Sequence, residues 1–246
     1  MKKLVQYLVL IAILLFIFEA TFRVLGFKPY HFEPFSIVSE PAFCLIPHGR
    51  LGLSLNPGTF EVTMNEGLHY SVTHTSDSLR KTAKHSKVGE FPKIDFHGCS
   101  FTYGMGVNDA QAYPWLVQEA LDSFHIRTLA MPGHGILQAL ILLKEQEKNA
   151  TLPKVVVLNY AAFHDQRNLL DLQYRKHLHY GFERSNPEIR KLFQTAHFPY
   201  AQLSPEGELE VQWENWNSIY QNWPGRKTFA AVNFMQSAAD QIRDQQ

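Results

Sequence analysis

The stretch "IDFHGCSFTYGMGV" (residues 94–107) carries the strongest structural signal in this chain of 246 residues. A short apolar run ends at Gly98, Ser100 follows, and Gly104 and Gly106 come soon after. Because glycine tolerates positive φ, this composition is typical of a tight turn between a buried strand and a helix. Open α/β sheets bind their ligands at such turns, at the carboxyl ends of the strands. A serine there is either a nucleophile or only a polar residue of the turn.

The sequence that follows alternates between strand-like and helix-like segments. Residues 109–124 have the apolar spacing of a helix, with Asp109 as the predicted cap, and residues 135–150 form the next predicted helix. A second predicted strand covers residues 126–131, and the apolar run "KVVVLNYAAF" (residues 154–163) predicts a third strand, buried on both faces of a parallel sheet. This order predicts an α/β sandwich with right-handed crossovers.

The segments before residue 94 are less regular. Residues 28–57 are rich in Pro, Phe and Gly without periodicity, which predicts an irregular linker. Residues 59–76 alternate β-branched and polar side chains around an Asn-Glu-Gly turn, which predicts a β-hairpin. Residues 80–91 are basic and polar, and have the composition of a solvated loop.

The segments after residue 163 are harder to assign. Residues 164–225 are polar and aromatic and predict an insertion with one or two short helices and a short strand at "GELEVQWE" (residues 207–214). Residues 225–246 have the spacing of an amphipathic helix.

The charge balance and the cysteine content argue against several classes of function. Lys plus Arg and Asp plus Glu both number 23, so the chain has no net charge to attract a nucleic acid. The two cysteines, Cys44 and Cys99, fit neither a metal-binding spacing nor a disulfide framework. We therefore predict no metal, no cofactor and no nucleic-acid partner.

The N-terminus predicts a membrane segment. Lys2 and Lys3 precede 15 mostly apolar residues, 4–18, a length between that of a signal-peptide core and that of a spanning helix. No small-x-small cleavage site follows, so we interpret residues 1–27 as an uncleaved signal anchor; a cleaved signal peptide and a buried core helix are the alternatives. The two lysines predict a cytoplasmic N-terminus and a single-pass topology, with the main domain in the periplasm or outside the cell.

The turn at Ser100 resembles the first block of the SGNH (GDSL-like) hydrolase family, in which Gly-Asp-Ser is followed by Ser or Thr two residues later and then Gly. Five residues match this block, and Cys99 replaces the usual Asp; the matching residues are Gly98, Ser100, Thr102, Gly104 and Gly106. The resemblance implies that Ser100 is a nucleophile. Since Cys99 adjoins the strand end, we expect its thiol to point into the core and to be unreactive.

Two later segments resemble the next blocks of that family. In "TLAMPGHGILQAL" (residues 128–140), Gly133 matches the glycine whose N–H contributes to the oxyanion hole, although it also suits a simple turn before a helix. In "VVVLNYAAFHDQRN" (residues 155–168), His164 takes the place of the family's oxyanion-hole Asn, and Asn168 is a second candidate. A purely structural role for His164 remains the alternative.

Arg167 lies between these two candidates in the sequence. Three roles are open for it: holding the loop, contacting an anionic group of a substrate, or simple solvation.

The resemblance implies a flavodoxin-like three-layer sandwich, the SGNH hydrolase fold, over residues 88–246 with an insertion at 164–225. Residues 28–87 would form a linker and β-hairpin accessory segment. The family's C-terminal Asp-x-x-His block, which supplies the base, is not found after Asn168. The chain is then C-terminally incomplete with a poorly covered sheet edge, or catalytically inactive, or it recruits a base from the insertion. The histidines available for that recruitment are His177, His179 and His197.

We therefore expect an exported, membrane-tethered serine esterase or acyltransferase of the SGNH type. Acyl esters of envelope glycans or lipids are the expected substrates, because of the compartment alone. The alternative is a catalytically inactive SGNH-fold protein that serves as a binding or scaffold module in the envelope.

Overall fold

The computed structural model describes residues 2–31, 37–65, 67–84, 91–183 and 187–244. It is a mixed α/β structure with one small parallel sheet, several antiparallel sheets and an N-terminal apolar helix. The chain divides into two compact units, one made of residues 34–219 and the other of residues 1–33 together with 220–246.

The larger unit contains all of the strands and most of the helices that the structure describes. Its strands are β1 (Ile37–Glu40), β2 (Leu45–His48), β3 (Gly52–Leu55), β4 (Gly58–Met64), β5 (Leu68–His74), β6 (Lys93–His97), β7 (His125–Thr128), β8 (Val155–Leu158), β9 (His197–Leu203) and β10 (Leu209–Asn215). Its helices are α2 (Ser100–Tyr103), α3 (Tyr113–Ala120), α4 (Ile136–Lys148), α5 (Phe163–Asn168), α6 (Leu172–Glu183), α7 (Pro187–Phe193) and α8 (Trp216–Ile219), with a 3-10 turn at Asp109–Gln111.

A three-stranded parallel sheet in the order β7-β6-β8 carries the region around Ser100. Ile94 in β6 is paired with Ile126 on one side and Val155 on the other. Both connections between these strands contain a helix, α3 and then α4, as the alternating pattern predicted. The order leaves β6 in the middle, so the turn that follows β6 lies between the turns that follow its neighbours.

The prediction that the third strand is buried on both faces is wrong. Val155, Val156 and Leu158 in β8 are 41%, 40% and 49% exposed, and only Val157 packs on the core formed by Ile94, Phe96 and Ile126. A hydrophobic run shows only that the side chains are apolar. Whether they are buried depends on which other elements pack against them. In the described part of the chain β8 is an edge strand of the parallel sheet.

The predicted hairpin is confirmed, but the predicted irregular linker is not. β4 and β5 are antiparallel, with Met64 opposite Leu68 across the turn. Residues 28–57 contain three further strands: β1 pairs with β4, and β2 pairs with β3. Each of these strands has only four residues, and Pro47 in β2 and Gly52 in β3 argue against a strand when the sequence is considered alone.

The prediction of a solvated loop from residue 80 is wrong for Arg80, which is only 2% exposed. Its backbone makes isolated bridges to His74 at the end of β5 and to Thr128 at the end of β7. Arg80 therefore joins the hairpin to the parallel sheet. Residues 85–90 of the predicted loop lie outside the described residues.

The segment after β8 is more ordered than its composition indicated. The predicted short helices are present as α6 and α7, and the predicted strand is present as β10. β9, which pairs with β10 along seven residues, was not predicted. Pro199 lies within β9, and a proline argues against a strand when the sequence is considered alone.

The smaller unit contains two helices, α1 (Lys2–Val24) and α9 (Ala230–Asp244). The 23 residues of α1 span about 34 Å and none of its side chains is buried, so it is long and apolar enough to cross a membrane or to serve as a signal sequence. The Glu19 carboxylate accepts hydrogen bonds from the N–H groups of Ala230 and Ala231, at 2.8 and 3.0 Å. This carboxylate thereby caps α9, whose free N–H groups favour negative charge.

Candidate active site

Ser100 is the first residue of α2, three residues after the end of β6. Its side chain is half-buried, and Gly104 ends the helix in the left-handed conformation at φ +81°. The thiol of Cys99 is fully buried, which confirms that it points into the core. Of the two neighbours, only the serine side chain is available to a ligand.

Gly98 allows α2 to lie close to the end of β8. A Cβ atom at Gly98 would lie 2.3 Å from the Thr102 hydroxyl oxygen, which is too short for a side chain there, and 3.1 Å from the Asn159 Cβ, which is a tight contact. The buried Thr102 thus occupies the space that a side chain at Gly98 would need. This contact explains why Gly98 and Thr102 occur together around the serine.

The buried side chain of Arg80 stabilises residues 103–107 of the turn. Its guanidinium donates to the carbonyl oxygens of Tyr103, Gly104 and Val107 at 2.6, 2.5 and 2.7 Å, and its Nε lies 3.0 Å from an Asp109 carboxylate oxygen. Three carbonyls and one carboxylate therefore depend on a single buried cation. Sequence analysis missed this role because a lone arginine in a polar stretch looks solvated.

Asp109 was predicted to cap the helix that follows, and this prediction is wrong. Its carboxylate accepts hydrogen bonds from Arg80 and from the Thr73 backbone N–H, the latter at 2.9 Å. Asn108 is the capping residue instead, and it caps the 3-10 turn through a reciprocal pair of bonds with Gln111. The carboxylate is used to fasten the serine turn to the hairpin.

Gly133 lies in the loop after β7 at φ +87°, a conformation that favours glycine. The Tyr174 hydroxyl donates to the Gly133 carbonyl oxygen at 2.6 Å, and Arg167 Nη1 donates to the His134 carbonyl oxygen at 2.8 Å. The Gly133 N–H has no acceptor among the described residues. The loop is thus held through its carbonyls, while the N–H predicted for the oxyanion hole is unused.

His134, next to Gly133, is a buried neutral imidazole. Its Nε2 lies 3.4 Å from the Leu53 carbonyl oxygen, which can only accept, so Nε2 carries the proton. Burial lowers the pKa of His134 from 6.5 to about 3 because the charged form loses its hydration.

We predict that His134 makes the folded protein less stable at acidic pH. Between pH 6.5 and pH 3 the unfolded chain binds a proton at His134 and the folded chain does not, so the free energy of unfolding falls as the pH falls. From pH 7 to pH 5 this contribution amounts to about 2 kcal/mol. Denaturant unfolding at both pH values should show that His134→Asn loses this part of the pH dependence.

His69→Gln is the matched control, since His69 lies at an exposed position of β5. It should keep the wild-type difference in unfolding free energy between the two pH values. An unchanged difference in His134→Asn would contradict the assignment.

His164 is fully buried at the start of α5. The Ala161 N–H donates to its Nδ1 at 3.3 Å, which places the ring proton on Nε2. Burial is the main cause that lowers the pKa of His164, and the positive charge of Arg167 lowers it further. The ring is therefore neutral, and its Nε2–H has no hydrogen-bond acceptor among the described residues. A neutral imidazole has the kind of donor that an oxyanion site takes from an Asn, and in this structure the His164 Nε2 atom is itself buried.

Asn168 is committed to a structural contact. Its Oδ1 accepts from the Leu137 N–H at 3.0 Å and so caps the start of α4. A Cβ at Gly135 would lie only 2.5 Å from that oxygen, which explains the glycine there. Of the two candidates for the side-chain oxyanion donor, His164 has no acceptor for its ring N–H among the described residues, and Asn168 is held in place through its acceptor oxygen, which leaves its amide N–H groups as donors.

The aromatic rings of Phe101 and Phe163 link the serine turn to α5, with ring centroids 5.7 Å apart. Phe101 follows Ser100, and Phe163 precedes His164. Together with the bond from Arg167 to the loop after β7, this contact joins the turns that follow all three parallel strands.

The structure places no imidazole in a hydrogen bond with Ser100 within the described ranges. His179 lies against Trp216, with ring centroids 6.1 Å apart, and His197 Nδ1 lies 3.1 Å from the Thr195 carbonyl oxygen. His177 is exposed and lies over the Tyr174 ring at 6.3 Å. Tyr174, on which His177 stacks, is hydrogen-bonded to the Gly133 carbonyl oxygen. Of the three histidines, His177 is therefore the one that is linked to the predicted site through a side-chain contact.

Comparison of the chain with protein-family models, with curated proteins and with solved structures finds no match. No group of three His, Cys, Asp or Glu side chains that could hold a metal ion occurs in the part of the chain that the structure describes.

Proposed function

We propose that the chain is a membrane-tethered serine hydrolase of the SGNH type that acts on acyl esters. One observation carries the proposal: Ser100, the unused Gly133 N–H and the unused His164 Nε2–H follow three adjacent strands of one parallel sheet. The strand order β7-β6-β8 and the helical crossovers also support a flavodoxin-like three-layer sandwich as the finer fold.

The chemistry follows from the residues. The Ser100 hydroxyl oxygen forms a bond to the acyl carbon while a base takes its proton, and negative charge develops on the former carbonyl oxygen. The N–H groups of Ser100, Gly133 and His164 stabilise that charge. The tetrahedral intermediate collapses, the alcohol leaves with a proton, and water then releases the acid and regenerates Ser100. An acceptor alcohol in place of water makes the same site an acyltransferase.

The compartment is part of the proposal. In it, α1 is an uncleaved anchor with Lys2 and Lys3 on the cytoplasmic side, and the larger unit lies in the periplasm or outside the cell. Acylated glycans or lipids of the envelope are then the substrates within reach of the site.

Covalent labelling tests the proposal directly. The full chain in detergent is treated with a fluorophosphonate, which loses fluoride to an activated serine hydroxyl, and the digest is analysed by mass spectrometry. We expect a single phosphonyl adduct on the peptide that contains Ser100. A folded chain that takes up no label, or that takes it up only elsewhere, would rule out Ser100 as an activated nucleophile.

One observation favours a second candidate, a catalytically inactive protein that binds acylated envelope components. The Ser100 hydroxyl has no hydrogen-bond partner in the described part of the chain, so nothing there is placed to take its proton. This candidate predicts binding of an acylated glycan without release of the acid and without an adduct on Ser100.

A further inference from the structure

The guanidinium of Arg167 lies beside the loop that carries Gly133. It lies over the Phe163 ring at 4.4 Å and faces the Tyr174 ring at 5.7 Å, and its Nη1 donates to the His134 carbonyl oxygen at 2.8 Å. Two aromatic faces and one hydrogen bond thus hold the cation in one position.

This cation has no carboxylate partner among the described residues. Arg80, Arg127 and Arg175 each form an ion pair with an Asp or Glu, whereas Arg167 forms none. The only carboxylate on α5 is that of Asp165, two residues away, and it accepts from the Tyr160 hydroxyl at 2.8 Å instead. The half-buried guanidinium therefore keeps its positive charge available to a ligand.

Most of the hydrogen-bonding capacity of Arg167 is unused. A guanidinium has five N–H donors in a planar fork, and only the bond to His134 occupies one of them. The bond to the His134 carbonyl needs one donor. The other N–H groups of the guanidinium are available for a bidentate partner such as a carboxylate or a phosphate. The positive charge also reaches the neighbouring site, since it contributes to lowering the pKa values of His134 and His164.

We propose that Arg167 binds an anionic group, a carboxylate or a phosphate, that the ester substrate carries near its scissile bond. This inference rests on the proposed function and names the class of substrate. Arg167 is then a specificity-determining residue, because its contact with His134 places the cation one residue from Gly133.

The test compares three aryl esters on the full chain in detergent. 4-Nitrophenyl acetate is neutral, mono-4-nitrophenyl succinate carries a carboxylate on the acyl side, and 4-acetoxybenzoate carries one on the leaving group. We expect one of the two anionic esters to lose more of its kcat/KM than 4-nitrophenyl acetate does when Arg167 is replaced, which also tells on which side the anion binds. In Arg167→Gln the ratio of kcat/KM for that ester to kcat/KM for the neutral ester should fall about tenfold or more, mainly through KM.

Two variants serve as references. Arg167→Lys keeps the charge without the fork and should lie between wild type and Arg167→Gln. Lys148→Gln removes one exposed charge at the end of α4 and should keep the wild-type ratio. Ratios that are the same in Arg167→Gln as in wild type for both anionic esters would overturn the proposal.

A binding measurement separates this proposal from the proposed function. Ser100→Ala cannot form an acyl-enzyme, but it keeps Arg167, so calorimetry with succinate and with inorganic phosphate reports the anion site alone. Binding that is lost in the Ser100→Ala, Arg167→Gln double variant supports the site even if no ester is hydrolysed. Binding that is equal in both, or absent from both, overturns it whether or not Ser100 is a nucleophile.

Discussion

Replacing Ser100 with Ala is expected to lower kcat/KM for 4-nitrophenyl acetate by about 10⁴-fold or more. The alanine has no oxygen to form the acyl-enzyme, while the N–H groups of Gly133 and His164 remain in place. Losses of this size are typical when a nucleophile that acts together with a base is removed, and the remaining rate reflects the oxyanion donors. Release of 4-nitrophenolate by the full chain in detergent measures it.

The control is Ser218→Ala, at an exposed position of α8. It should hydrolyse the ester at the wild-type rate. Because the Ser100 hydroxyl makes no hydrogen bond with any described residue, the Ser100→Ala protein should also unfold at the same denaturant concentration as wild type. Equal hydrolysis by Ser100→Ala and wild type would remove Ser100 from the mechanism and favour the inactive binding protein.

Replacing Arg80 with Met is expected to lower the free energy of unfolding by about 3–5 kcal/mol. The methionine fills part of the volume, but it leaves the Asp109 carboxylate without its cation and the carbonyls of Tyr103, Gly104 and Val107 without their donor. Uncompensated polar groups at a buried site carry the full cost of lost hydration. Urea unfolding of the full chain in detergent, followed by tryptophan fluorescence, measures the change.

The matched variant is Arg50→Met, which breaks the exposed ion pair with Glu145 at 3.3 Å. Exposed pairs contribute about 0–1 kcal/mol, so this variant should unfold almost as wild type does. A change below about 1 kcal/mol in Arg80→Met as well would show that the buried contacts of Arg80 are not what stabilises the turn. We also expect Arg80→Met to lose ester hydrolysis, since the backbone around Ser100 depends on the three carbonyl contacts.

Sequence reasoning succeeds where a pattern is local. The strand that ends at His97, the turn glycines, the hairpin and the helix that begins at Ile136 all follow from spacing within one short window, and the structure confirms each. It fails at β8, at Arg80 and at Asp109. In those three cases, burial and hydrogen-bond partners depend on residues that are distant in the sequence, so a local pattern does not predict them.

The candidate site shows the same division. The order of the three turns identifies Ser100, Gly133, His164 and Asn168 as candidates, but the side chains that hold them in position give no local signal. Tyr174, for example, donates to the Gly133 carbonyl from 41 residues away. Its role appears only when the chain is folded.

The sequence by itself determines the apolar helix α1, the alternation of strands and helices after residue 93, and the serine turn, because hydrophobic periodicity and glycine content act over neighbouring residues. Only the tertiary structure decides that His164 has an unused N–H while Asn168 caps α4, and that Arg167 has no carboxylate partner among the described residues. Hydrogen bonds and ion pairs act over a few ångströms, and their partners here come from separate elements. Which polar groups are left for a ligand is therefore a property of the fold.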